Sequence, residues 1–311
     1  MRRHIIIGDI HGCADALFTL LDACERRPDD EVVSVGDLVD RGPDPTSVVR
    51  FFMEDPHACA ILGNHEDKHL RVRDKELLPA STQVATRLLM GAFYDEALDW
   101  FATLPLSLWR AGHFICHGGV DPSLPLDQQP RRTLLRGPAS SKALDGELWM
   151  TAYTGAVPVI YGHRSVGQVH IVNNTFGIDT GAGGGKDDET IGATELTAMI
   201  LPERRFVTVP APDSFVPQLR RERSPEFDAL TDWYAARHAS AHQKAPAPQR
   251  AAPLNVEGVA ITGGWLMQEL GLHPGRALGD ALKTVARHVA DGTIVTLGDV
   301  RRVLAPTAPF E

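Results

Sequence analysis

Five short apolar runs in this sequence are each followed by residues that can bind a metal ion, and glycine adjoins each of these positions. The runs are HIIIG (4–8), EVVSVG (31–36), ACAILG (58–63), HFIC (113–116) and VPVIYG (157–162). The residues that follow them are Asp9, His11, Asp37, Asn64, His117 and His163. Glycine lets the backbone turn sharply and approach other atoms closely. These six side chains are therefore candidate ligands of one metal site.

The donor types indicate which cations such a site would hold. Carboxylate, imidazole and amide donors favour borderline or hard divalent ions, so we expect Mn, with Fe or Zn as alternatives, rather than Ca. Asp9 and His11 are two residues apart, so both side chains leave the same face of an extended chain. Six ligands exceed the need of one ion and match a two-metal site. In such a site, ions roughly 3.5 to 4 Å apart polarise a phosphoryl group and activate a shared water for in-line attack on phosphorus as hydroxide.

The elements that must position these residues are short strands separated by helices. Each apolar run predicts a buried strand, and the stretches 12–25 and 44–54 have helical spacing, which indicates a layered α/β domain. Ligands bind at the carboxyl ends of strands in open α/β sheets, so the five strand ends can converge on one pocket. From residue 166 onward, turn residues separate strand candidates without long helices, which predicts an antiparallel ending.

Four motifs carry a resemblance to a known family. GDIHG, GDLVDRG, GNHE and HGG, in this order and followed by YGHR, resemble the motifs of the metallophosphoesterase (calcineurin-like) superfamily. Within it they are most similar to the phosphoprotein phosphatase branch, which includes bacterial diadenosine tetraphosphatases and phage-type protein phosphatases. The resemblance covers roughly residues 3 to 210 and is specific, because several multi-residue motifs occur at suitable spacing. It implies a two-sheet sandwich flanked by helices, the calcineurin-like phosphoesterase fold.

The same resemblance implies a role for each site residue. Asp9, His11 and Asp37 would bind the first metal, with Asp37 bridging to a second metal held by Asn64, His117 and His163. His65 would protonate the leaving oxygen, oriented by Asp40, while Arg41 binds phosphate. Histidine titrates near neutrality and suits an acid role, and a guanidinium offers a planar fork to two phosphoryl oxygens. The other candidate substrate contacts are Asn64, Arg136 and Arg164.

Several further polar residues receive a structural interpretation. Asp179, in the segment GIDTG, follows a strand outside the five, so we expect it to shape the rim of the pocket without binding metal. Five histidines are expected to be ordinary surface or turn residues: His4, His57, His69, His113 and His170.

Composition excludes several classes of protein. The formal net charge of -9 disfavours non-specific binding to a nucleic acid backbone by the whole surface. No stretch is long and apolar enough to span a membrane, and the run 5–7 is far too short for the core of a signal peptide. The four cysteines form no CxxC pair, so we expect reduced thiols in a cytoplasmic protein.

The sequence predicts three regions. Residues 1–217 form the phosphoesterase domain, 218–253 a charged helix followed by an Ala/Pro-rich linker, and 254–311 a small helical domain. The stretch 261–292 resembles the C-terminal helical segment of bacterial tRNA nucleotidyltransferases, which implies contact with RNA. The alternative is an appendage that serves packing or dimerisation. Acidic residues offset the basic residues of this tail, so a purely electrostatic grip on RNA is weak.

Alternative functions remain open on the sequence alone. A phosphomonoester or phosphoanhydride hydrolase would act on a phosphoprotein or a dinucleoside polyphosphate. Alternatively, the tail could guide a phosphatase to RNA ends or nucleotides, or the chain could be an RNA or protein adaptor with a regulatory phosphoesterase domain. The complete set of candidate site residues favours the enzyme hypothesis, because a protein that had lost catalytic activity would be expected to lack at least one of Asp9, Asp37, Asn64 or His65.

Overall fold

The computed structural model describes residues 2–138, 148–184, 194–242, 254–257, 259–270 and 276–304. The chain divides into two compact units, Met1–Ala241 and His242–Glu311. The Ala/Pro-rich stretch 243–253 predicted as a linker lies outside the described residues. No helix in the described ranges combines the length and the apolar character needed to cross a bilayer.

The larger unit alternates short strands with helices. Its strands are β1 (His4–Ile7), β2 (Glu31–Ser34), β3 (Ala58–Ala60), β4 (Ser107–Arg110), β5 (His113–Cys116), β6 (Val159–Tyr161), β7 (His170–Val172), β8 (Thr175–Gly177), β9 (Glu195–Leu201) and β10 (Arg205–Pro210). Its helices are α1 (Ala14–Ala23), α2 (Pro45–Glu54), α3 (Asn64–Arg73), α4 (Ser81–Met90), α5 (Tyr94–Phe101), α6 (Arg131–Arg136), α7 (Trp149–Ala152), α8 (Val216–Glu222) and α9 (Ser224–His242).

These strands form two mixed sheets. The first has the order β10-β9-β1-β2-β3, and the second has the order β4-β5-β6-β8-β7. Strands β1, β2 and β3 are parallel, whereas β9 runs antiparallel to both β1 and β10. The predicted two-sheet fold and antiparallel ending are confirmed. The five strands that precede the candidate ligands are divided between the sheets, because β1, β2 and β3 belong to the first and β5 and β6 to the second.

The continuously apolar strands are explained by burial on both faces. In β1, Ile5 and Ile7 pack in a core shared with helices α1 and α2, while Ile6 packs in a core shared with Ile115 and Ile160 of the second sheet. Successive side chains of a strand point to opposite faces, so a strand covered on both sides needs an apolar residue at every position. The result is a sandwich in which strand ends of both sheets are held rigidly.

The smaller unit has its own core. It consists of β11 (Asn255–Val256), β12 (Val259–Ala260), α10 (Gly263–Leu270), α11 (Arg276–Ala290) and α12 (Leu297–Leu304). Buried apolar side chains from several of these elements pack together, among them Val256, Leu266, Val285 and Val300. Helices are present in this unit, as the sequence predicts. The two-stranded hairpin is unexpected, because two residues per strand are too few to show an alternating pattern.

We expect the thiols to react slowly in the native protein. Cys13, Cys24 and Cys116 are buried, and burial raises their pKa values to about 12, 11 and 12. Since the thiolate is the nucleophile, alkylation by iodoacetamide at neutral pH should be much slower in native protein than in urea. Mass spectrometry of the alkylated peptides measures this. Rapid alkylation of Cys13 in the native protein would contradict the burial of this thiol at the start of α1.

Candidate metal centre

The turns that carry the site residues adopt strained backbone conformations. Left-handed φ values of 50° to 73° occur at His11, Asp37, Asp40, Arg41 and His163. Such values are unfavourable for residues with a side chain and persist only where the surroundings enforce them. Here the backbone N–H groups of Ile10 and His11 both donate to the Asp37 carbonyl, at 3.0 and 2.9 Å. The turn after β1 is therefore bonded to the turn after β2, which fixes Asp9, His11 and Asp37 together.

Two glycines are required because the strand ends approach closely. A Cβ added at Gly63 would overlap the backbone nitrogen of Asp37, and one at Gly162 would overlap a carboxylate oxygen of Asp9. Gly63 follows β3 of the first sheet, and Gly162 follows β6 of the second, where it meets Asp9 of the first. The glycines of the motifs thus allow the two sets of strand ends to meet.

Asp37 lies at the centre of the candidate ligands. The candidate donor atoms form two groups, and within each group all the atoms lie within 4.8 Å of one another. One group consists of His11, Asp37 and His65, and the other of Asp37, His117 and His163. The Asp37 Oδ2 atom is 3.8 Å from His11 Nε2, and Oδ1 is 3.3 Å from His117 Nε2. Asp37 is thus shared by both groups, an arrangement that suits a bridging carboxylate.

Backbone carbonyls orient the histidine rings. His11 Nδ1 is 2.9 Å from the Val39 oxygen, and His117 Nδ1 is 2.9 Å from the Val35 oxygen. A carbonyl oxygen only accepts hydrogen bonds, so each Nδ1 carries a proton and each ring turns its Nε2 atom towards the site. His117 Nε2 also lies 3.0 Å from Asn64 Oδ1. These facing acceptor atoms fit a cation that would take the place of a proton between them.

The carboxylates concentrate negative charge in a buried space. Burial, followed by the carboxylates of Asp179 and Asp37, raises the pKa of Asp9 well above its usual range. Burial also raises the pKa of Asp179 to about 6. Burial would raise the pKa of Asp37 too, but His117 and His65 outweigh it and hold that pKa well below its usual value. Divalent cations would relieve this repulsion, so the donor set fits the predicted metals.

All six predicted ligands converge on this centre. Asp9 joins it through the backbone N–H of His163, which donates to both carboxylate oxygens at 3.2 and 3.1 Å. Burial and the neighbouring His117 lower the pKa of His163 to about 4, which keeps its ring neutral, as a metal ligand requires. Asp179 is buried beside Asp9, closer to the centre than a rim residue.

His65 and Asp40 form a buried pair next to the ligands. His65 Nδ1 is 2.5 Å from Asp40 Oδ2, and His65 Nε2 lies 3.8 Å from Asp37 Oδ2. The first contact fixes the ring, and the second shows that Nε2 faces the centre. Burial would raise the pKa of Asp40, but His69 and His65 outweigh it and hold the pKa well below its usual value. Asp40 is therefore a carboxylate that orients His65.

Further side chains hold Asp40 in place. His69 Nε2 lies 2.9 Å from Asp40 Oδ1, Thr86 Oγ1 donates to Oδ1 at 2.7 Å, and Gln83 donates to Oδ2. Tyr94 OH lies 2.9 Å from His69 Nδ1. The expectation of a surface or turn position is wrong for His4 and His113, which are buried, and for His69, which is fully buried. Its position four residues after His65 on α3, one helical turn away, was the available signal.

Glu66 of GNHE organises the backbone rather than the reaction. Its carboxylate accepts hydrogen bonds from the backbone N–H groups of Asp37 and Leu38, both at 2.9 Å, and of Gly63 at 3.0 Å. The turn after β2 is thereby tied to the start of α3. Sequence reasoning assigned no role to this glutamate.

Glu66→Gln should destabilise the metal-free protein. The amide would turn an N–H group towards backbone donors, which leaves buried groups unpaired and costs about 1–3 kcal/mol. Urea denaturation in the presence of a chelator measures this loss against Glu96→Gln, a change at an exposed position of α5. Equal stability of the two variants would contradict the role given to Glu66.

The candidate arginines differ in their relation to the centre. The charge of Arg41 acts on Asp9, His11 and Asp179, and Arg41 is half-buried. The charge of Arg136 acts on His163. Arg164 is exposed, and its charge acts on Tyr161. Arg41 and Arg136 therefore border the ligands.

Comparisons with known proteins agree with this geometry. The profile of the calcineurin-like phosphoesterase family, whose members bind divalent metals, matches residues 3–192. The asymmetrical bis(5'-nucleosyl)-tetraphosphatase PrpE of Oceanobacillus iheyensis is 27% identical over 242 residues, covering 68% of this chain and 93% of that protein. The same enzyme of Geobacillus sp. (strain WCH70) is 30% identical over 248 residues, covering 68% of this chain and 96% of that protein.

A solved structure is also similar. The crystal structure of a provisionally assigned diadenosine tetraphosphatase has a TM-score of 0.56 and 25% identity, covering 68% of this chain and 95% of that one. The family profile, the curated relatives and the candidate metal ligands all indicate a metal-dependent phosphoesterase. The chain belongs to the calcineurin-like phosphoesterase family and is a metal-dependent hydrolase.

Proposed function

We propose that this protein hydrolyses a dinucleoside polyphosphate at a two-metal centre. The observation that carries the proposal is that Asp37 belongs to both groups of donor atoms and lies beside the His65 and Asp40 pair. Similarity to relatives that bear a bis(5'-nucleosyl)-tetraphosphatase name over at least 93% of their length supports the substrate class. Mn is the expected metal, with Fe or Zn as alternatives.

Metal ions, when bound, would polarise the phosphoryl group and activate water. Asp9, His11, Asp37, Asn64, His117 and His163 would hold them, with Asp37 as the bridge. The protein's further contribution is to bind and orient the substrate. The guanidinium of Arg41 would bind phosphoryl oxygens beside the ligands, since its planar fork suits two oxygens at once. Arg136, whose charge acts on His163, and Asn64, which lies beside His117, would add further contacts, as would the exposed Arg164.

His65 would supply the proton that the leaving oxygen needs. Its Nδ1 is bonded to Asp40, and its Nε2 faces the centre, so Nε2 is the atom positioned to donate. Asp40 accepts hydrogen bonds from several buried groups, which prevents the carboxylate from turning away. The leaving group then departs with its oxygen protonated and therefore carries less negative charge, which lowers the activation barrier of hydrolysis.

Turnover of a substrate panel tests the proposal. Protein stripped with a chelator and reloaded with Mn, Fe or Zn is assayed on diadenosine tetraphosphate, an aryl phosphate and a phosphoserine peptide. Asymmetrical cleavage with one water yields AMP and ATP, whereas symmetrical cleavage yields two ADP, so chromatography separates the two outcomes. We expect the highest kcat/KM with the dinucleoside polyphosphate. A higher value for the phosphopeptide would identify a protein phosphatase instead.

Deleting residues 254–311 should leave aryl phosphate turnover unchanged, because these residues belong to a unit with its own core. Basic side chains of the tail are paired with acids, as in Arg301 with Glu269 at 2.8 Å and Arg302 with Asp299 at 3.0 Å. RNA contact by the tail therefore stays a prediction. Gel-shift and RNA 5'-end hydrolysis assays of the full and shortened chains test it, and a loss of RNA-directed activity on deletion would support the tail as a guide.

A further inference from the structure

A groove rich in arginine lies between helices α3 and α6. We call it the arginine groove, and its volume is about 620 Å³. The charged residues that line it are Asp67, Arg71, Arg73, Asp74, Glu76, Arg131, Arg132 and Arg136. The volume lies within the range of small-molecule sites. The lining carries five guanidinium groups and three carboxylates, so an anion of several charges is favoured as its ligand.

Both walls of the groove are connected to the metal centre. Helix α3 starts with the candidate ligand Asn64, and Asp67 follows on its first turn. Helix α6 is joined to the centre by the N–H of Gly118, which donates to the Leu134 oxygen at 2.5 Å, and Gly118 directly follows His117. Arg136, whose charge acts on His163, ends α6. A substrate whose reacting phosphate lies at the centre therefore has the groove as a direct continuation.

The guanidinium groups can exchange their present partners for phosphate. Arg131 contacts Asp67, Arg71 contacts Glu76 and Arg73 contacts Asp74, each at 2.9 Å. The arginine side chains are 54%, 42% and 37% exposed. Ion pairs exposed to this degree contribute at most about 1 kcal/mol, whereas arginine and phosphate form charge-assisted, often bidentate hydrogen bonds. Arg132 is exposed as well.

The groove also has a suitable length. Asp67 and Arg73 are six residues apart on α3, which corresponds to about 9 Å along a helix with a rise of about 1.5 Å per residue. A single phosphate would contact only one end of such a row. A chain of linked phosphates could contact Arg131, which lies at Asp67, and also reach Arg73 at the other end.

We propose that the arginine groove binds the part of a polyphosphate chain that is not attacked, and so selects phosphoanhydrides over phosphomonoesters. This inference rests on the proposed function for the identity of the substrate. The groove acts through binding alone, because its arginines, apart from Arg136, line the continuation of the centre rather than the centre itself. Its contribution appears in KM and in the ratio of kcat/KM values for long and short substrates.

The Arg71→Ala/Arg132→Ala double variant tests the groove. We expect kcat/KM for diadenosine tetraphosphate to fall by about 10²-fold, mainly through KM, because hydrogen bonds to charged groups contribute about 1.5–3 kcal/mol each. Aryl phosphate turnover should not change. The control is Arg27→Ala, an exposed arginine in the loop before β2, at the opposite end of that strand from Asp37. Added salt should lower kcat/KM for diadenosine tetraphosphate in the wild-type protein and lower it much less in the double variant.

Three results would overturn the inference. One is an equal loss on diadenosine tetraphosphate and on aryl phosphate, which would mean that the arginines only support the fold. Another is no loss on either substrate. The third is a loss confined to a phosphoserine peptide with acidic flanks, which would assign the groove to a protein substrate.

Inhibition by inorganic phosphates separates this inference from the proposed function. Aryl phosphate hydrolysis is measured with tripolyphosphate or orthophosphate at constant free Mn. Stronger inhibition by tripolyphosphate than by orthophosphate in wild type, if it is lost in the double variant, supports the groove. This holds even if diadenosine tetraphosphate is not cleaved, and in that case only the proposed function fails. Equal inhibition by the two anions in wild type, with cleavage of diadenosine tetraphosphate intact, overturns the groove alone.

Discussion

Asp37→Asn is expected to abolish turnover of every phosphate ester, with a fall in kcat of about 10³-fold or more. Metal ions contribute several kcal/mol of transition-state stabilisation, and about 4 kcal/mol corresponds to that factor. Asp37 is shared by both groups of donor atoms, so a neutral amide at this position weakens both metal sites at once. Inductively coupled plasma mass spectrometry of the desalted, reloaded variant should show less than the full metal content.

A matched buried carboxylate at the other end of β2 provides the control. Asp30 directly precedes β2, whereas Asp37 lies three residues beyond its end, and each is 2% exposed. Asp30 accepts from Arg3 at 2.8 Å, so Asp30→Asn should lower stability but leave metal content and turnover as in wild type. Turnover like that of wild type in Asp37→Asn would refute the metal assignment. A similar loss in both variants would point to general destabilisation.

The candidate ligands could be predicted because each lies within a few residues of a strand end. Strand ends can be recognised from short apolar runs, and the polar residues that follow Gly8, Gly36 and Gly63 are local features of the sequence. The motifs add the family, and with it the two-sheet fold. Periodicity alone does not divide five strands between two sheets, because a run buried on both faces looks the same in either sheet.

The hydrogen bonds that hold Asp40 beside His65 could not be predicted, because they join residues that are far apart in the sequence. Thr86 and Gln83 reach Asp40 from 46 and 43 residues away, and Tyr94 reaches His69 from 25 residues away. These residues lie on α4 and α5, whose helical pattern indicates only which positions are buried. His69 on α3 looks ordinary in the sequence, because its partners Tyr94 and Asp40 are 25 and 29 residues away along the chain. Hydrogen-bond networks between helices therefore require the structure.

His65→Ala is expected to keep both metals and to lose about 10²- to 10⁴-fold in kcat, the range that acid catalysis contributes. The imidazole lies near Asp37 and belongs to one group of possible donor atoms, so its role as acid or as ligand is a real alternative. The geometry favours the acid, because Nδ1 is bonded to Asp40 and Asp40 is fixed by His69 and Thr86.

Two measurements distinguish the roles of His65. An acid matters most when the leaving oxygen is strongly basic, so the variant should lose far more on an alkyl phosphate than on 4-nitrophenyl phosphate, while a lost metal ligand would lower both alike. Metal content after reloading should equal that of wild type and of His113→Ala, which removes a buried histidine at the start of β5, the end of that strand remote from His117. Loss of one metal ion per chain from His65→Ala would make His65 a ligand. The Asp40 network would then be needed to hold a ligand ring, and the proton for the leaving oxygen would have to come from another group.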